Sequence, residues 1–130
     1  MRSIDPGELG IFSASVGLRG DIVIVRLSGE LDMSTAPRLG LQIAEAARLI
    51  SPPRLVIDVQ HLDFCDSSGL NLMVKTVHEV ERAGGRLLLS GVRDRFARLL
   101  RVTGLGRTLQ ARPTVELAVA ELTGPGDGGL

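Results

Sequence analysis

The most informative segment of the chain is the stretch Leu55-Val-Ile-Asp-Val-Gln-His-Leu-Asp-Phe-Cys-Asp-Ser-Ser-Gly-Leu70. Its first five residues form a short apolar run, which is typical of a buried strand. The polar segment Gln60–Cys65 is predicted to be a loop. Asp66 should then cap a helix, because its carboxylate can accept from free backbone N–H groups and suits the positive helix end. The stretch therefore predicts a strand, a loop and a helix in succession.

A hairpin and a helix precede this stretch. The β-branched run Ile22–Leu27 follows a weaker strand at Ile11–Gly17 across the turn Leu18–Asp21, which predicts an antiparallel hairpin. The following helix has Pro37 in its first turn, is capped by Ser34 or Thr35, and stops at Ser51–Pro53. Because this helix separates two strands, the strands should pair in parallel. Its predicted buried residues are Leu39, Ile43, Ala46, Ala47 and Ile50.

Further β-α units follow. A second helix ends at Ala83–Gly85, the strand Arg86–Ser90 comes next, and a third helix covers Arg93–Thr103. A weak strand near Thr108–Ala111 leads into a last helix, Thr114–Leu122, capped by Thr114. The residues expected to be buried in the second and third helices are Leu70, Met73, Val74, Val77, Val80, Phe96, Leu99, Leu100 and Val102.

These elements predict an α/β fold: an N-terminal β-hairpin followed by β-α units, forming one small mixed, mostly parallel sheet with helices packed on it. We expect a flexible lead-in at residues 1–10, one domain at 11–122 and a disordered glycine-rich tail at 123–130.

Composition excludes several classes of protein. The 130 residues carry 15 basic and 15 acidic side chains, which argues against a general nucleic-acid binder. A single cysteine cannot form an intramolecular disulfide, and no apolar run approaches the roughly 20 residues of a membrane span. Residues 1–10 lack the apolar core of a signal peptide. We therefore expect a cytoplasmic protein that has neither nucleic acid nor membrane as a partner.

The polar cluster Asp66-Ser-Ser-Gly69 is the candidate site. Loops at the carboxyl ends of parallel strands form sites in such sheets, and the loops Glu30–Ser34 and Gln60–Gly69 should meet if their strands are neighbours. A phosphate on Ser67 or Ser68 would lie near free N–H groups at the helix start. The plain alternative is that the cluster is only a helix cap.

The stretch Leu55–Leu70 resembles the signature of STAS domains, specifically of bacterial anti-sigma factor antagonists. The segments Val25–Asp32 and Ser34–Ala36 are similar to an earlier block of that family. Later blocks resemble Gly84–Leu89 and Phe96–Leu105. The resemblance covers about residues 11–122.

The resemblance implies a protein that is a substrate and a switch, and not an enzyme. The unmodified form would bind an anti-sigma factor that is also a serine kinase, which frees a sigma factor. That kinase, using ATP, would phosphorylate the second serine, Ser68, with Ser67 as the runner-up, and a metal-dependent serine phosphatase would reset the protein. No cofactor is implied. The expected partner-binding residues are Asp32, Ser34, Asp66, Ser67, Ser68, Gly69, Leu70 and Leu72.

Two other functions remain open. The chain could be a STAS scaffold, or an accessory subunit of a lipid-transport or stress-signalling complex, without a phospho-switch. An enzyme on this fold would lack a catalytic base near the serines, and neither nucleotide-binding glycine motifs nor a Gly-x-Ser-x-Gly elbow occurs. His61, His78 and Cys65 are not spaced as a metal site requires.

Three further features of the sequence lead to predictions about burial, charge and self-association. Asp58, within an apolar strand, is interpreted as a satisfied buried acid. The segment Arg93–Arg107 holds five arginines and one aspartate, a local charge of +4, and reads as a solvated helix face or as a partner or lipid-surface contact. We expect a monomer or a weak dimer, since an exposed first strand could pair with itself.

Overall fold

Alternating and helical apolar patterns produce five strands and four helices in the computed structural model, which describes residues 11–124. The strands are β1 (Ser13–Arg19), β2 (Ile22–Leu31), β3 (Arg54–Cys65), β4 (Arg86–Ser90) and β5 (Ala111–Arg112). The helices are α1 (Ala36–Ala47), α2 (Ser67–Arg82), α3 (Asp94–Thr103) and α4 (Val115–Thr123).

The strands lie side by side in chain order, β1-β2-β3-β4-β5, in one sheet. β1 and β2 pair antiparallel, and the other three pairs are parallel. Both the hairpin and the β-α-β crossover predicted from the sequence are confirmed, as is the mixed, mostly parallel α/β sheet.

The sheet separates two apolar cores, because successive side chains of a strand point to opposite faces. The larger core joins alternate strand residues such as Val25 and Ile57 to the helices α1, α2 and α3. The smaller core joins Ile24 and Val56 to Val115 and the rest of the inner face of α4. The first three helices therefore cover one face, and α4 covers part of the other.

The segment Gln60–Cys65, predicted to be a loop, is strand. β3 runs on to Cys65 because β2 also extends to Leu31 and the two strands stay paired, with register shifts between Arg26 and Ser28 and between Gly29 and Glu30. Hydrogen bonds to β2 satisfy backbone N–H and C=O groups of this segment, although its side chains are largely exposed. Composition alone pointed to a loop, and the neighbouring strand overrode it.

Several smaller boundaries also differ from the prediction. β1 spans Ser13–Arg19, α1 ends at Ala47 and β5 spans Ala111–Arg112. Val102, expected to be buried, is 76% exposed, because α3 turns Leu100 into the core. α4 reaches Thr123, so the predicted tail began too early. The lead-in at 1–10 and the tail from 125 onward lie outside the described residues. No helix in the described part of the chain is long and apolar enough to cross a membrane.

Candidate functional site

The loops that follow β2 and β3 meet, as predicted. Leu31 and Cys65 are paired at the ends of the two strands, and the Asp66 amide donates to the Leu31 carbonyl oxygen at 3.1 Å. Gly69 allows this approach, since a Cβ at that position would lie 2.6 Å from Leu31 Cγ and 2.8 Å from Cys65 Sγ. The first turn of α2 is therefore packed against the end of β2.

Asp66 caps α2 as the sequence predicted. Its Oδ1 accepts from the backbone nitrogens of Ser68 at 2.8 Å and Gly69 at 3.2 Å. Ser67 is exposed and Ser68 is half-buried in this first turn. Neither serine is sealed within the core, so both residues lie at the surface.

Asp32 organises the other loop. Its Oδ1 accepts from the Ser34 hydroxyl at 2.6 Å and from the Ser34 amide at 2.9 Å, and it also accepts from the Thr35 amide at 3.2 Å. Hydrogen bonds from the Ser34 side chain, then from its backbone, lower the pKa of Asp32. The carboxylate is therefore ionised and fixed at the start of α1.

This arrangement corrects the predicted cap of α1. Thr35 is at the N-cap position but its side chain caps no helix amide, and its hydroxyl instead accepts from the Asp32 amide at 2.9 Å. The Asp32 carboxylate accepts from the amides of Ser34 and Thr35, which precede the first helical residue Ala36, so it stabilises a turn and does not cap the helix. The prediction that the side chain of Ser34 or Thr35 caps α1 is therefore wrong.

The predicted contact residues divide between surface and core. Ser34 and Ser67 are exposed, and Leu72 is half-buried on α2. Leu70 is 3% exposed and packs in the larger core, so it offers no contact area to a partner. Gly69 is also buried. Leu70 belongs to the apolar face that positions α2, as its helical spacing indicated.

Sequence reasoning missed Met33, whose side chain is 75% exposed between Asp32 and Ser34. A large apolar residue in a polar loop was the available signal. Methionine packs adaptably against partner surfaces. The candidate partner surface, named the α2 docking face, is formed by Asp32, Met33, Ser34, Asp66, Ser67, Ser68 and Leu72.

Cys65 lies beside this face but is chemically quiet. Burial, then the nearby charge of Asp66, raises the pKa of its thiol to about 12. The thiol therefore stays protonated at neutral pH and is a poor nucleophile. Among residues 11–124, no group of three His, Cys, Asp or Glu side chains is placed to hold a metal ion.

Asp58, His78 and the basic segment Arg93–Arg107 have the burial or exposure that the sequence predicted. Asp58 is 5% exposed, lies 3.6 Å from Arg26 Nε and accepts from the Gln60 amide at 3.1 Å, which confirms a satisfied buried acid. His78 is exposed on α2. The five arginines of the basic segment, Arg93, Arg95, Arg98, Arg101 and Arg107, are all exposed.

Comparison with known proteins gives the family. The STAS domain matches residues 14–118. The chain belongs to the STAS domain family. A STAS relative from Paenibacillus polymyxa, an anti-sigma F factor antagonist, is 32% identical over 101 residues, which cover 78% of this chain and 86% of the relative.

Solved STAS structures share the fold. An anti-sigma factor antagonist from Mycobacterium paratuberculosis is 29% identical with a TM-score of 0.78, covering 88% of this chain and 96% of that one. The anti-sigma factor antagonist SpoIIAA in its unphosphorylated form is 24% identical with a TM-score of 0.72, covering 86% and 97%. At 24% identity, the match to SpoIIAA shows only that the two proteins share a fold.

Proposed function

We propose that this STAS domain is an anti-sigma factor antagonist whose binding is switched off by phosphorylation of Ser68. The observation that carries the proposal is the position of Ser68 at the surface, in the first turn of a capped helix, where two acid-bearing loops meet. Relatives named as anti-sigma factor antagonists support the same function. The partner would be an anti-sigma factor with serine-kinase activity, which releases its sigma factor on binding.

The unmodified α2 docking face combines fixed acids with apolar side chains. Asp32 and Asp66 are held by hydrogen bonds to backbone amides, so their charges are already in place before a partner arrives. Met33 and Leu72 supply apolar area beside them. Such a face suits a partner surface with arginine or lysine around an apolar centre.

Phosphorylation would act on this face through charge. The kinase would transfer the γ-phosphoryl group of ATP to Ser68 Oγ, which loses its proton, and ADP would leave. The product carries about −1.5 to −2 charges at neutral pH. Asp66 already occupies the amides of Ser68 and Gly69, so the phosphate would gain little from them and would lie beside a like charge.

The expected size of the effect is large enough for a switch. Two unit charges about 5 Å apart at an effective dielectric constant of 20 interact by roughly 3 kcal/mol. Repulsion from Asp66 acts in the free and the bound chain alike, so binding would be weakened where the partner covers Ser68 and brings an acid or an apolar group close to the phosphate. A penalty of that size lowers affinity by about 100-fold. A metal-dependent serine phosphatase would hydrolyse the ester and restore the docking face.

Incubation with ATP and candidate serine-kinase anti-sigma factors tests the proposal. Intact mass and peptide mapping should show a single phosphate on Ser68 after incubation with the cognate kinase. Ser68→Ala should abolish incorporation, whereas Ser67→Ala, one residue away on the same turn, should retain it. Incorporation that follows Ser67 instead, or no phosphate and no complex with any such partner, would overturn the proposal and favour a scaffold or transport role.

A further inference from the structure

Within the described residues, the strand β1 is a long edge of the sheet that is paired on one side only. Within residues 11–124 the two edges are β1 and β5, and β5 has only two residues, of which Arg112 is bound by Glu121 of α4. β1 has seven residues, contains neither proline nor lysine, and pairs with β2 without a register shift. Prolines, lysines, bulges and a short length normally keep an edge strand from pairing with another strand, and β1 has none of these.

The hairpin geometry shows which backbone groups of β1 are free. Gly20 has φ +60° in the two-residue turn between the paired residues Arg19 and Ile22. A two-residue turn closes on a hydrogen-bonded pair, and such pairs alternate along an antiparallel ladder. The N–H and C=O groups of Ala14, Val16 and Leu18 therefore point away from β2, along the open edge.

This edge is complementary to itself. A two-fold axis through Val16, the central residue of β1, places Val16 opposite Val16 of a second copy and Leu18 opposite Ala14. All three outward-facing residues then meet outward-facing residues, over the full length of the strand. Arg19, the one charged residue of β1, would face Ser13, so no like charges are opposed.

The same pairing covers exposed apolar side chains. Ala14, Val16 and Leu18 lie opposite Leu27, Val25 and Val23, which belong to the larger core, so they occupy the helix-covered face. Val16 is nevertheless 43% exposed and Leu18 is 58% exposed. A two-fold axis perpendicular to the sheet keeps both helix layers on one face, so these side chains would pack against those of the second copy in the groove between the two α1 helices.

Charges on α1 fit this arrangement. The groove between α1 and α2 is lined by Pro37, Gly40, Leu41 and Ala44, so the stripe Arg38, Gln42 and Glu45 lies on the other side of α1, towards the β1 edge. The two-fold axis makes the two α1 helices antiparallel. The Arg38 end of one helix is then brought towards the Glu45 end of the other, which is complementary in charge.

We propose that β1 is the docking edge for a second copy of this chain, which forms an antiparallel two-fold dimer centred on Val16 with a continuous ten-stranded sheet. The start of β1 lies beside the end of β2, next to the α2 docking face. The two-fold axis therefore places the two docking faces at opposite ends of the joined sheet, where both remain open. Dimerisation is independent of the state of Ser68.

Cysteine cross-linking in the full chain tests the register. In a Cys65→Ser background, Val16→Cys places two thiols across the axis on a hydrogen-bonded pair, whose Cα separation of about 5.5 Å suits a disulfide. Leu18→Cys is the matched control, because its two copies would be four residues apart, about 13 Å along the strand. We expect a covalent dimer from the first variant and monomer from the second under the same mild oxidation. Equal cross-linking of both variants, or of neither, would overturn the proposal.

Sedimentation of the unmodified chain provides the second measurement. The sedimentation coefficient should rise with protein concentration, and Val16→Lys should weaken the dimer at least tenfold by opposing two lysines. Val102→Lys, the same kind of change at a residue 76% exposed on α3, should leave it unchanged. Circular dichroism checks that both variants fold. A chain that stays monomeric at all concentrations, or a dimer indifferent to Val16→Lys, would contradict the pairing.

Discussion

Asp66 Oδ1 lies 2.8 Å from the backbone nitrogen of Ser68, so the residue proposed as the phosphate acceptor is hydrogen-bonded to a fixed carboxylate. The bond caps α2 and places the Asp66 charge in the same helical turn as Ser68. One side chain would therefore serve both the helix cap and the proposed switch.

Removing the cap of α2 should destabilise the fold and weaken partner binding, whereas removing the cap of α4 should only destabilise the fold. Asp66→Ala should lower the free energy of unfolding by about 1 kcal/mol, the usual cost of losing an N-cap. Thr114→Ala is the matched control, since Thr114 Oγ1 accepts from the Leu117 amide at 3.1 Å and caps α4 on the far side of the sheet. Urea unfolding should show similar losses for both. Only Asp66→Ala should reduce affinity for the anti-sigma factor, and equal affinities would remove Asp66 from the docking face.

The close approach of α2 to β2 should be sensitive to a single methyl group. Gly69→Ala should cost roughly 1–3 kcal/mol, the range for overpacking, because the new Cβ would meet Leu31 and Cys65 at under 3 Å. Gly106→Ala has no atom within 4 Å of the added carbon and should be nearly neutral. Thermal or urea unfolding checks both. A neutral Gly69→Ala would mean that the two loops are not packed as described.

The ion pairs of Glu121 should make part of the stability dependent on pH. Hydrogen bonds from Arg112, and then from Arg86, lower the pKa of Glu121. Because its folded pKa is below the unfolded value of about 4.3, the contribution is present above that pH and is lost as the pH falls through the folded pKa. Glu121→Gln should cost up to about 1 kcal/mol at pH 7, and its difference from the unmodified chain should shrink below about pH 4.

The control for this prediction is Glu81→Gln, which neutralises an exposed acid in the last turn of α2. Removing this charge should not lower the free energy of unfolding, because a negative charge near a helix C-terminus is unfavourable. Urea unfolding at pH 7 and pH 3 measures both variants. A pH dependence that is unchanged by Glu121→Gln would show that the Arg112 and Arg86 pairs do not couple to folding.

Charge at position 68 should decide binding. Ser68→Ala should bind the anti-sigma factor constitutively, and Ser68→Asp should bind poorly, though less poorly than the phosphorylated chain because Asp carries about one charge. Ser51→Asp adds the same charge at an exposed serine between α1 and β3, away from the docking face, and should leave the affinity unchanged. Calorimetric titration at low and high salt checks the order. Equal affinity for Ser68→Ala and Ser68→Asp would refute the electrostatic account.

The sequence predicted the elements whose side chains alternate or recur at helical spacing. Leu39 and Ile43 on α1 and Met73 and Val77 on α2 are buried as their spacing required. It also predicted that Asp66 caps α2, since an aspartate carboxylate can accept from first-turn amides and suits the positive helix end. These features depend on residues that are close together in the sequence, so they can be predicted from it.

The missed features depend on neighbours distant in sequence. The polar end of β3 is strand because β2 offers backbone partners to His61 and Phe64, which composition cannot reveal. Ser34 and Thr35 do not cap α1, because their hydroxyls are hydrogen-bonded to Asp32 in the turn that precedes the helix. The exposure of Met33 and Val102 likewise depends on which face of each element the sheet takes up. Tertiary packing, rather than local propensity, decides each of them.

The proposed switch is tested by the affinity of one cognate anti-sigma factor for this chain, measured before and after stoichiometric phosphorylation of Ser68. Calorimetric titration at physiological salt gives both values on the same preparation. We expect the affinity to fall about 100-fold on phosphorylation and to be restored by a serine phosphatase. An affinity that is the same for the two forms would contradict the proposed switch.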